Sequence, residues 1–331
     1  MSFKAYVGID VSKLKFDVYI KEKESYKQFK NDKSGFIAMV KWLQKLIGPV
    51  LVETFVCFEH TGLYSLPLAL FLSEEQISFA MVAPLEIKRS LGITRGKNDI
   101  VDAKRIADFA YRFHDKINVT KLPASDLNKI HLLLTLRDRL SRNLGSYVAS
   151  KNETERVLGE QYLPELFTSY DTIIATMKAE IKRLENEIKE IIEQNEKLAT
   201  SMQLLTSIKG IGLLTAAYLI VYTDNFTKFD NWRKFACYSG IAPFDYQSGT
   251  SVRGRTKVNS IANKQMKRML YLAAICAIGF DTELRDYYHR KQAEGKPKML
   301  VINVIKNKLI ARAFAVIKRG TPFVDTKKYA A

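Results

Sequence analysis

The first 113 residues alternate between short apolar runs and longer stretches with helical spacing. Leu14, Phe16, Val18 and Ile20 alternate with polar neighbours, the period of two that is typical of a half-buried strand. The sequence predicts strands at 5–9, 14–20, 26–29, 55–58 and 77–82, and helices at 36–47, 66–72 and 100–113. Three strands followed by alternating helices and strands predict an α/β fold with a mixed sheet.

From about residue 125 the pattern becomes helical. Residues 125–158 predict one long helix, and residues 171–198 carry a heptad of apolar positions typical of a coiled coil. Its seam consists of Ile174, Met177, Ile181, Leu184, Ile188 and Ile191. The seam either packs against residues 125–158 in an intramolecular hairpin or forms a dimer interface. We predict three domains: 1–118 α/β, 119–200 a helical coiled-coil segment, and 201–331 mainly α-helical.

The charge balance points to a polyanionic partner. The chain of 331 residues has 52 Lys and Arg against 35 Asp and Glu, a net charge of +17. Such a positive field suits nucleic acid first and an anionic membrane second. No apolar run reaches the roughly 20 residues of a membrane helix, so we expect a cytoplasmic protein. Cys57, Cys237 and Cys276 form no CxxC pair, and we expect buried thiols rather than a zinc or disulfide framework.

Four carboxylates stand where a strand ends or a helix begins. Asp10 ends the first predicted strand and Glu59 ends another, while Asp99 and Asp102 share one face at the start of a helix. Carboxylates gathered in this way suit two Mg²⁺ ions flanking a phosphodiester. Each also has a simpler interpretation, as a turn residue, a helix cap or a helix N-terminal acid.

A second cluster lies in residues 240–255, whose Gly, Pro and Ser content predicts a loop. No acidic residue occurs from Gln247 to Phe280. The basic residues of this stretch are Arg253, Arg255, Lys257, Lys264, Lys267 and Arg268. Guanidinium groups suit phosphate, and an adjacent serine could act as a nucleophile. On spacing alone, a loop that merely binds phosphate is the favoured interpretation.

A short glycine-containing turn lies further upstream. Ile208-Lys209-Gly210-Ile211-Gly212 precedes an apolar helix, and resembles the turn of a helix-hairpin-helix, where backbone N–H groups approach phosphate. Lys209 is therefore a further candidate for nucleic-acid binding, and a simple turn between helices is the alternative.

Three segments together resemble the DEDD-type insertion-sequence transposases related to the Piv DNA invertase. They are Gly8-Ile9-Asp10-Val11-Ser12, Glu59-His60-Thr61-Gly62-Leu63-Tyr64 and Lys97-Asn98-Asp99-Ile100-Val101-Asp102-Ala103. The resemblance implies an N-terminal RNase H-like (RuvC-like) domain in which Asp10, Glu59, Asp99 and Asp102 hold Mg²⁺. His60 departs from the small residue expected after the glutamate. It either crowds or tunes the metal site or merely packs, and we expect it to pack.

The same resemblance extends to the C-terminal domain. Ile241-Ala242-Pro243 and Ser248-Gly249-Thr250-Ser251-Val252-Arg253-Gly254 are similar to the family's C-terminal transposase motif, in which Ser248 is the implied nucleophile. The family implies DNA strand exchange through a covalent phosphoserine link, assisted by the metal site. It also implies element-end and target DNA and a structured noncoding guide RNA as partners, a homodimer or homotetramer, and a bacterial, nucleoid-associated site of action.

Two other functions remain open on the sequence. A RuvC-like endonuclease would cut DNA with metal-activated water and use Ser248 only to bind phosphate. A nucleic-acid-binding protein with a decayed metal site would not cut at all, although carboxylates in a groove for phosphate would then repel the ligand.

Overall fold

The structure is a computed structural model that describes residues 3–49, 51–90, 98–248, 252–258 and 261–325. At residues 245–257 it describes the backbone of the strands and not the side chains. The chain divides into two compact units, Met1–Leu122 and Pro123–Ala331. Among the described residues, no helix is long and apolar enough to cross a membrane.

The first unit is built on a mixed five-stranded sheet, as the sequence predicted. Its strands are β1 (Ala5–Val11), β2 (Lys15–Ile20), β3 (Ser25–Lys30), β4 (Thr54–Glu59) and β5 (Ser78–Val82). They lie in the order β3-β2-β1-β4-β5. The first three pair antiparallel, whereas β4 and β5 run parallel to β1. This arrangement agrees with the RNase H-like fold that the resemblance implied.

Helices cover both faces of this sheet. They are α1 (Lys33–Ile47), α2 (Leu66–Glu74), α3 (Pro84–Ser90) and α4 (Asp99–Phe113). One face packs Val7, Ile9 and Phe58 against α1 and α2, and the other packs Tyr6 and Cys57 against α3 and α4. The sequence analysis missed α3, which begins at Pro84, because proline suits the first turn of a helix as well as the end of a strand.

The second unit begins with a long helical hairpin of α5 (Ser125–Leu158) and α6 (Pro164–Gln194). Arg137 binds Glu185 and Ser150 binds Tyr170, so the two helices run antiparallel. In the heptad Ile174, Leu184 and Ile188 are buried, and its other members are half-buried. The apolar seam is therefore covered within this chain, while a role in dimerisation stays a prediction.

The remaining helices of this unit pack around the base of the hairpin. They are α7 (Glu196–Thr206), α8 (Leu213–Tyr222), α9 (Trp232–Tyr238), α10 (Lys264–Phe280), α11 (Thr282–Ala293) and α12 (Lys298–Arg319). Leu134 of α5 and Ile192 of α6 belong to the same hydrophobic core as Leu309 of α12. The predicted helix at 171–198 breaks at Asn195, whose side chain accepts from Leu198 N and so begins α7.

Two sequence predictions are corrected in this unit. The loop predicted at 240–255 contains an antiparallel hairpin of β6 (Pro243–Ser248) and β7 (Val252–Val258). The turn-forming residues of this stretch favoured a loop over the hairpin. The alternation of basic residues at 253, 255 and 257 with Val, Gly and Thr is nevertheless typical of a strand. Cys57 is buried as expected, but Cys237 and Cys276 are exposed, because a thiol in an apolar helix need not lie on its buried side.

Candidate active site

Asp10 and Glu59 face the same side of the sheet. Successive side chains of a strand alternate between faces, and Ile9 and Val11 belong to the core beneath α1 and α2. Asp10 therefore faces the other side of the sheet, which α4 covers. Phe58, the neighbour of Glu59, lies in the same core as Ile9 and Val11, so Glu59 also faces α4. Because β1 and β4 are parallel and pair Ile9 with Phe58, the two carboxylates end adjacent strands at the same edge.

Gly8 brings α4 close to this edge. A Cβ at Gly8 would lie 2.2 Å from both Ala103 O and Ala107 N, so only glycine permits this contact. The space that a side chain would take at Gly8 is occupied by α4. Asn98 begins the helix by accepting from Ile100 N, which places Asp99 and Asp102 in its first turn.

The charges confirm that these residues are neighbours. Burial, followed by the negative charges of Asp102, Glu59 and Asp99, raises the pKa of Asp10 to about 6. The structure thus brings together all four carboxylates singled out in the sequence.

Basic side chains hold two of the four carboxylates. Lys15 Nζ lies 3.3 Å from Asp99 Oδ2, and Arg105 Nη1 donates to Asp102 Oδ1 at 2.9 Å. Within the part of the chain that the structure describes, no three Asp, Glu, His or Cys side chains converge closely enough to enclose a metal ion. The carboxylates are therefore adjacent without forming a closed ligand shell.

A fifth carboxylate near Asp10, that of Asp17, was not predicted from the sequence. It lies opposite Asp10 in the β1–β2 register, it is 2% exposed, and its charge also raises the pKa of Asp10. Tyr26 Oη and Gln28 Nε2 both donate to Asp17 Oδ1. The sequence feature that could have revealed Asp17 is the turn at 13–14. It lies midway between Asp10 and Asp17 and so sets them opposite each other.

Asn31 ties together the two loops that follow β1 and β4. Its Nδ2 donates to Ser12 O at 2.9 Å and to Tyr64 O at 3.0 Å. In the second loop His60 is exposed, and its Nδ1 accepts from Gly62 N at 3.3 Å. The expectation that His60 packs is therefore wrong, because the chain leaves the sheet immediately after Glu59.

In the second unit the proposed nucleophile lies at the end of a strand. Ser248 ends β6 and pairs with Val252, and Gln247 pairs with Arg253. Arg253, Arg255 and Lys257 occupy alternate positions of β7. The side chains of all four candidate residues, and the whole of residues 249–251, lie outside the described part of the structure.

Comparison with known proteins covers both units. Residues 7–164 match a family model described as "Transposase", that of the DEDD transposases of IS110, and residues 202–289 match "Transposase IS116/IS110/IS902 family". The first match contains the four carboxylates and the second contains Ser248. The chain belongs to the IS110 family of transposases. It is thus a DNA-binding and DNA-cleaving enzyme of an insertion sequence.

Individual relatives agree with this assignment. The transposase is 27% identical to the pilin gene-inverting protein of Moraxella lacunata, over 97% of this chain and 98% of the relative. The corresponding protein of Moraxella bovis gives the same identity and coverage. A 43.6 kDa protein of insertion element IS110 from Streptomyces coelicolor is 26% identical, over 66% of this chain and 59% of its own.

Two of the predicted basic residues of the transposase have acidic partners. Arg268 donates to the buried Asp138 of α5, and Lys209 Nζ lies 2.8 Å from Asp325 Oδ2. Gly210 has φ +94°, and a Cβ there would lie 2.7 Å from Ala273 O. This glycine is thus explained by packing against α10, as in a simple turn. Lys264 is exposed and Lys267 is half-buried in the first turns of α10.

The donor set at the sheet edge fits a divalent cation. All its groups are carboxylate oxygens, which are the ligands that Mg²⁺ prefers. Like charges that raise the pKa of Asp10 are unfavourable together unless a cation lies between them. Asp10, Glu59, Asp99 and Asp102 are thus the residues that would hold it, once Asp99 and Asp102 exchange their basic partners for the ion.

Proposed function

We propose that this transposase cuts and rejoins DNA through Ser248, with Mg²⁺ held by Asp10, Glu59, Asp99 and Asp102. The observation that carries the proposal is the packing of α4 on Gly8, which sets two acidic residues of a helix beside two strand-end carboxylates. The family matches support the serine half, because one of them spans Ser248 and the basic residues that follow it.

The carboxylate site has a defined task in this mechanism. A bound divalent cation supplies charge stabilisation to the oxygens of a phosphodiester in displacement. Asp10 and Glu59 hold fixed positions at the ends of paired strands, whereas Asp99 and Asp102 belong to a helix start. Lys15, released from Asp99, would be able to meet the phosphate.

The serine step conserves the energy of the phosphodiester. Ser248 Oγ attacks phosphorus, loses its proton to solvent or a neighbouring base, and forms a serine–phosphate ester. The bond from phosphorus to one deoxyribose oxygen breaks, and that oxygen takes up a proton. Attack by a hydroxyl of another strand reverses these changes and rejoins DNA without a further energy source.

The basic residues would hold the substrate. Arg253, Arg255 and Lys257 follow Ser248 in the hairpin, and Lys264 and Lys267 begin the next helix. Arg side chains bind phosphate through paired N–H groups, so the hairpin would fix the backbone beside the serine. Arg268 and Lys209 contribute only if they leave their acidic partners.

The resemblance further supports a structured guide RNA and a homodimer or homotetramer as parts of the active assembly. The positive net charge suits a second nucleic acid. The exposed apolar residues Val157 and Tyr162 at the end of the α5–α6 hairpin offer a surface for a second copy.

A trapping assay tests the serine. Full-length protein, Mg²⁺, labelled element-end DNA and RNA transcribed from the noncoding end of the element are mixed, and the products are separated on a denaturing gel. We expect label attached to protein in the wild type and none in Ser248→Ala. Ser251→Ala, three residues along, should keep the band, and mass spectrometry should place the nucleotide on the peptide that contains Ser248.

The outcomes separate the alternatives. Cleavage without a covalent band that persists in Ser248→Ala would identify a metal-dependent endonuclease that uses water. A band lost in Ser251→Ala and kept in Ser248→Ala would move the nucleophile to the second serine. Cleavage that is independent of Mg²⁺ would overturn the role of the carboxylates.

A further inference from the structure

Lys306 is a buried lysine in the middle of α12. It is 4% exposed, and in the described part of the chain no carboxylate pairs with it. Two other cations on the same helix are paired with acids, since Lys308 lies 3.7 Å from Glu283 and Arg312 Nη1 lies 2.7 Å from Asp281. A buried ammonium group without an anionic partner is unfavourable, which suggests that an anionic ligand pairs with it.

A second positive charge lies beside it. Lys306 Nζ is 5.9 Å from the centre of the Tyr271 ring. A long side chain on a helix leans back over the preceding turn, which for Tyr271 is the turn of Lys267. Burial, followed by the charge of Lys267, lowers the pKa of Lys306 to about 8. The two amines are thus close enough to repel each other.

The pair lies next to the hairpin that carries Ser248. Asn303 and Asn307, on either side of Lys306 in α12, both donate to Ile241 O, two residues before β6 begins. Lys267 belongs to the first turns of α10, a helix of 17 residues with no acidic residue in its first turn. The positive end of this helix dipole adds to the field of the two lysines.

We infer that Lys267 and Lys306 form a binding site for one phosphodiester group of a nucleic-acid backbone. Lys306 is the buried member of this pair, and Lys267 is the half-buried member that solvent reaches. A phosphodiester oxygen between the two amines would replace their repulsion by two charge-assisted hydrogen bonds. The inference rests on the proposed function, since the ligand is the DNA or the guide RNA on which the enzyme depends.

Binding of the full-length protein to two probes tests the site. The probes are a labelled DNA duplex of about 30 bp and an RNA hairpin of similar length, titrated at several KCl concentrations. The variants are Lys306→Met, Lys267→Met and the double variant. Lys308→Met is the matched control, because it removes a lysine of the same helix that already pairs with Glu283.

Each single variant should weaken binding of at least one probe about fivefold, and lower the slope of log affinity against log salt by up to about one. The double variant should resemble the singles, because both lysines hold one phosphate. Lys306→Met should also raise Tm, since methionine packs in the apolar surroundings. A merely structural lysine would give the Tm change without the loss of affinity.

The two probes distinguish the source of the phosphate. A loss confined to the duplex assigns the site to DNA, and a loss confined to the hairpin assigns it to RNA. Wild-type affinity and salt slope in Lys306→Met, or an equal loss in Lys308→Met, overturns the inference. If Lys306→Met fails to fold, the affinity and salt slope of Lys267→Met test the inference in the same way. A wild type that binds neither probe contradicts the proposed function itself, whereas unchanged variants contradict only this site.

Discussion

Each of the two units contains a cluster of like charges, which is negative in the first unit and positive in the second. In the first unit burial and the neighbouring carboxylates raise the pKa of Asp10 to about 6, and in the second burial and the charge of Lys267 lower the pKa of Lys306 to about 8. The first cluster is partly neutralised by Lys15 and Arg105, whereas Lys306 has no acidic partner among the described residues. Each cluster is unfavourable alone, so each indicates a ligand of the opposite charge.

The largest expected effect is on cleavage. Asp10→Asn removes the carboxylate at the centre of the acidic cluster and should lower the rate of DNA cleavage at least about 100-fold. It should also raise Tm in metal-free buffer, because it relieves repulsion among the remaining carboxylates. Asp108→Asn is the control, since Asp108 lies on α4, the helix that carries Asp99 and Asp102, and pairs with Lys21. Equal losses of cleavage rate in Asp10→Asn and Asp108→Asn would show that the loss does not depend on the carboxylate of Asp10 in particular.

Gly8→Ala should separate α4 from the sheet. Its Cβ would clash with Ala103 O and Ala107 N, so we expect the free energy of unfolding to fall by about 2–3 kcal/mol. Gly145→Ala makes the same change in α5 with no atom within 4 Å and should be stabilising by about 1 kcal/mol. Denaturant titration compares them. An unaffected Gly8→Ala would mean that α4 does not need this close approach.

Lys306→Met should stabilise the second unit in a pH-dependent way. The pKa of Lys306 falls from 10.5 to about 8 on folding, so below pH 8 the buried charge is fully unfavourable. The gain at pH 7 is up to about 3 kcal/mol, at about 1.4 kcal/mol per pKa unit. Between pH 8 and 10.5 the folded state loses the proton first, so the gain should shrink as pH rises. A constant gain in Tm across this range would argue against a lowered pKa.

Asn31→Ala should have the smallest effect on stability and a specific effect on metal binding. It removes the donor shared by Ser12 O and Tyr64 O, which should cost about 1 kcal/mol of unfolding free energy. Looser loops after β1 and β4 should weaken divalent-metal affinity about tenfold. Asn31→Asp keeps the size of the side chain but removes its N–H donor, so it should have the same effects as Asn31→Ala. Wild-type metal affinity in both variants would exclude this positioning role.

The acidic site could largely be predicted from the sequence, and the basic site only in part. Asp10 and Glu59 end apolar strands, and Asp99 follows the capping Asn98, so local patterns locate them. The contact of α4 with Gly8 and the register of Asp17 depend on tertiary packing, which one sequence does not reveal. Lys306 looked like any basic residue of a helix, because its burial depends on α10.

The second unit also shows where composition misleads. Gly, Pro and Ser around residues 240–255 indicated a loop, whereas backbone pairing of Gln247 with Arg253 makes a hairpin. Arg268 and Lys209 looked like phosphate-binding residues, yet Asp138 and Asp325 lie far from them in sequence and pair with them. Charge counts in a sequence therefore overstate how much of a basic surface is available to a ligand.

Calorimetric titration of Mg²⁺ into the full-length protein tests the central claim most directly. The account predicts saturable binding in the wild type, loss of that binding in Asp10→Asn, and its retention in Asp108→Asn. Equal binding in wild type and Asp10→Asn would contradict the claim that the carboxylates around Asp10 hold the metal that serves cleavage.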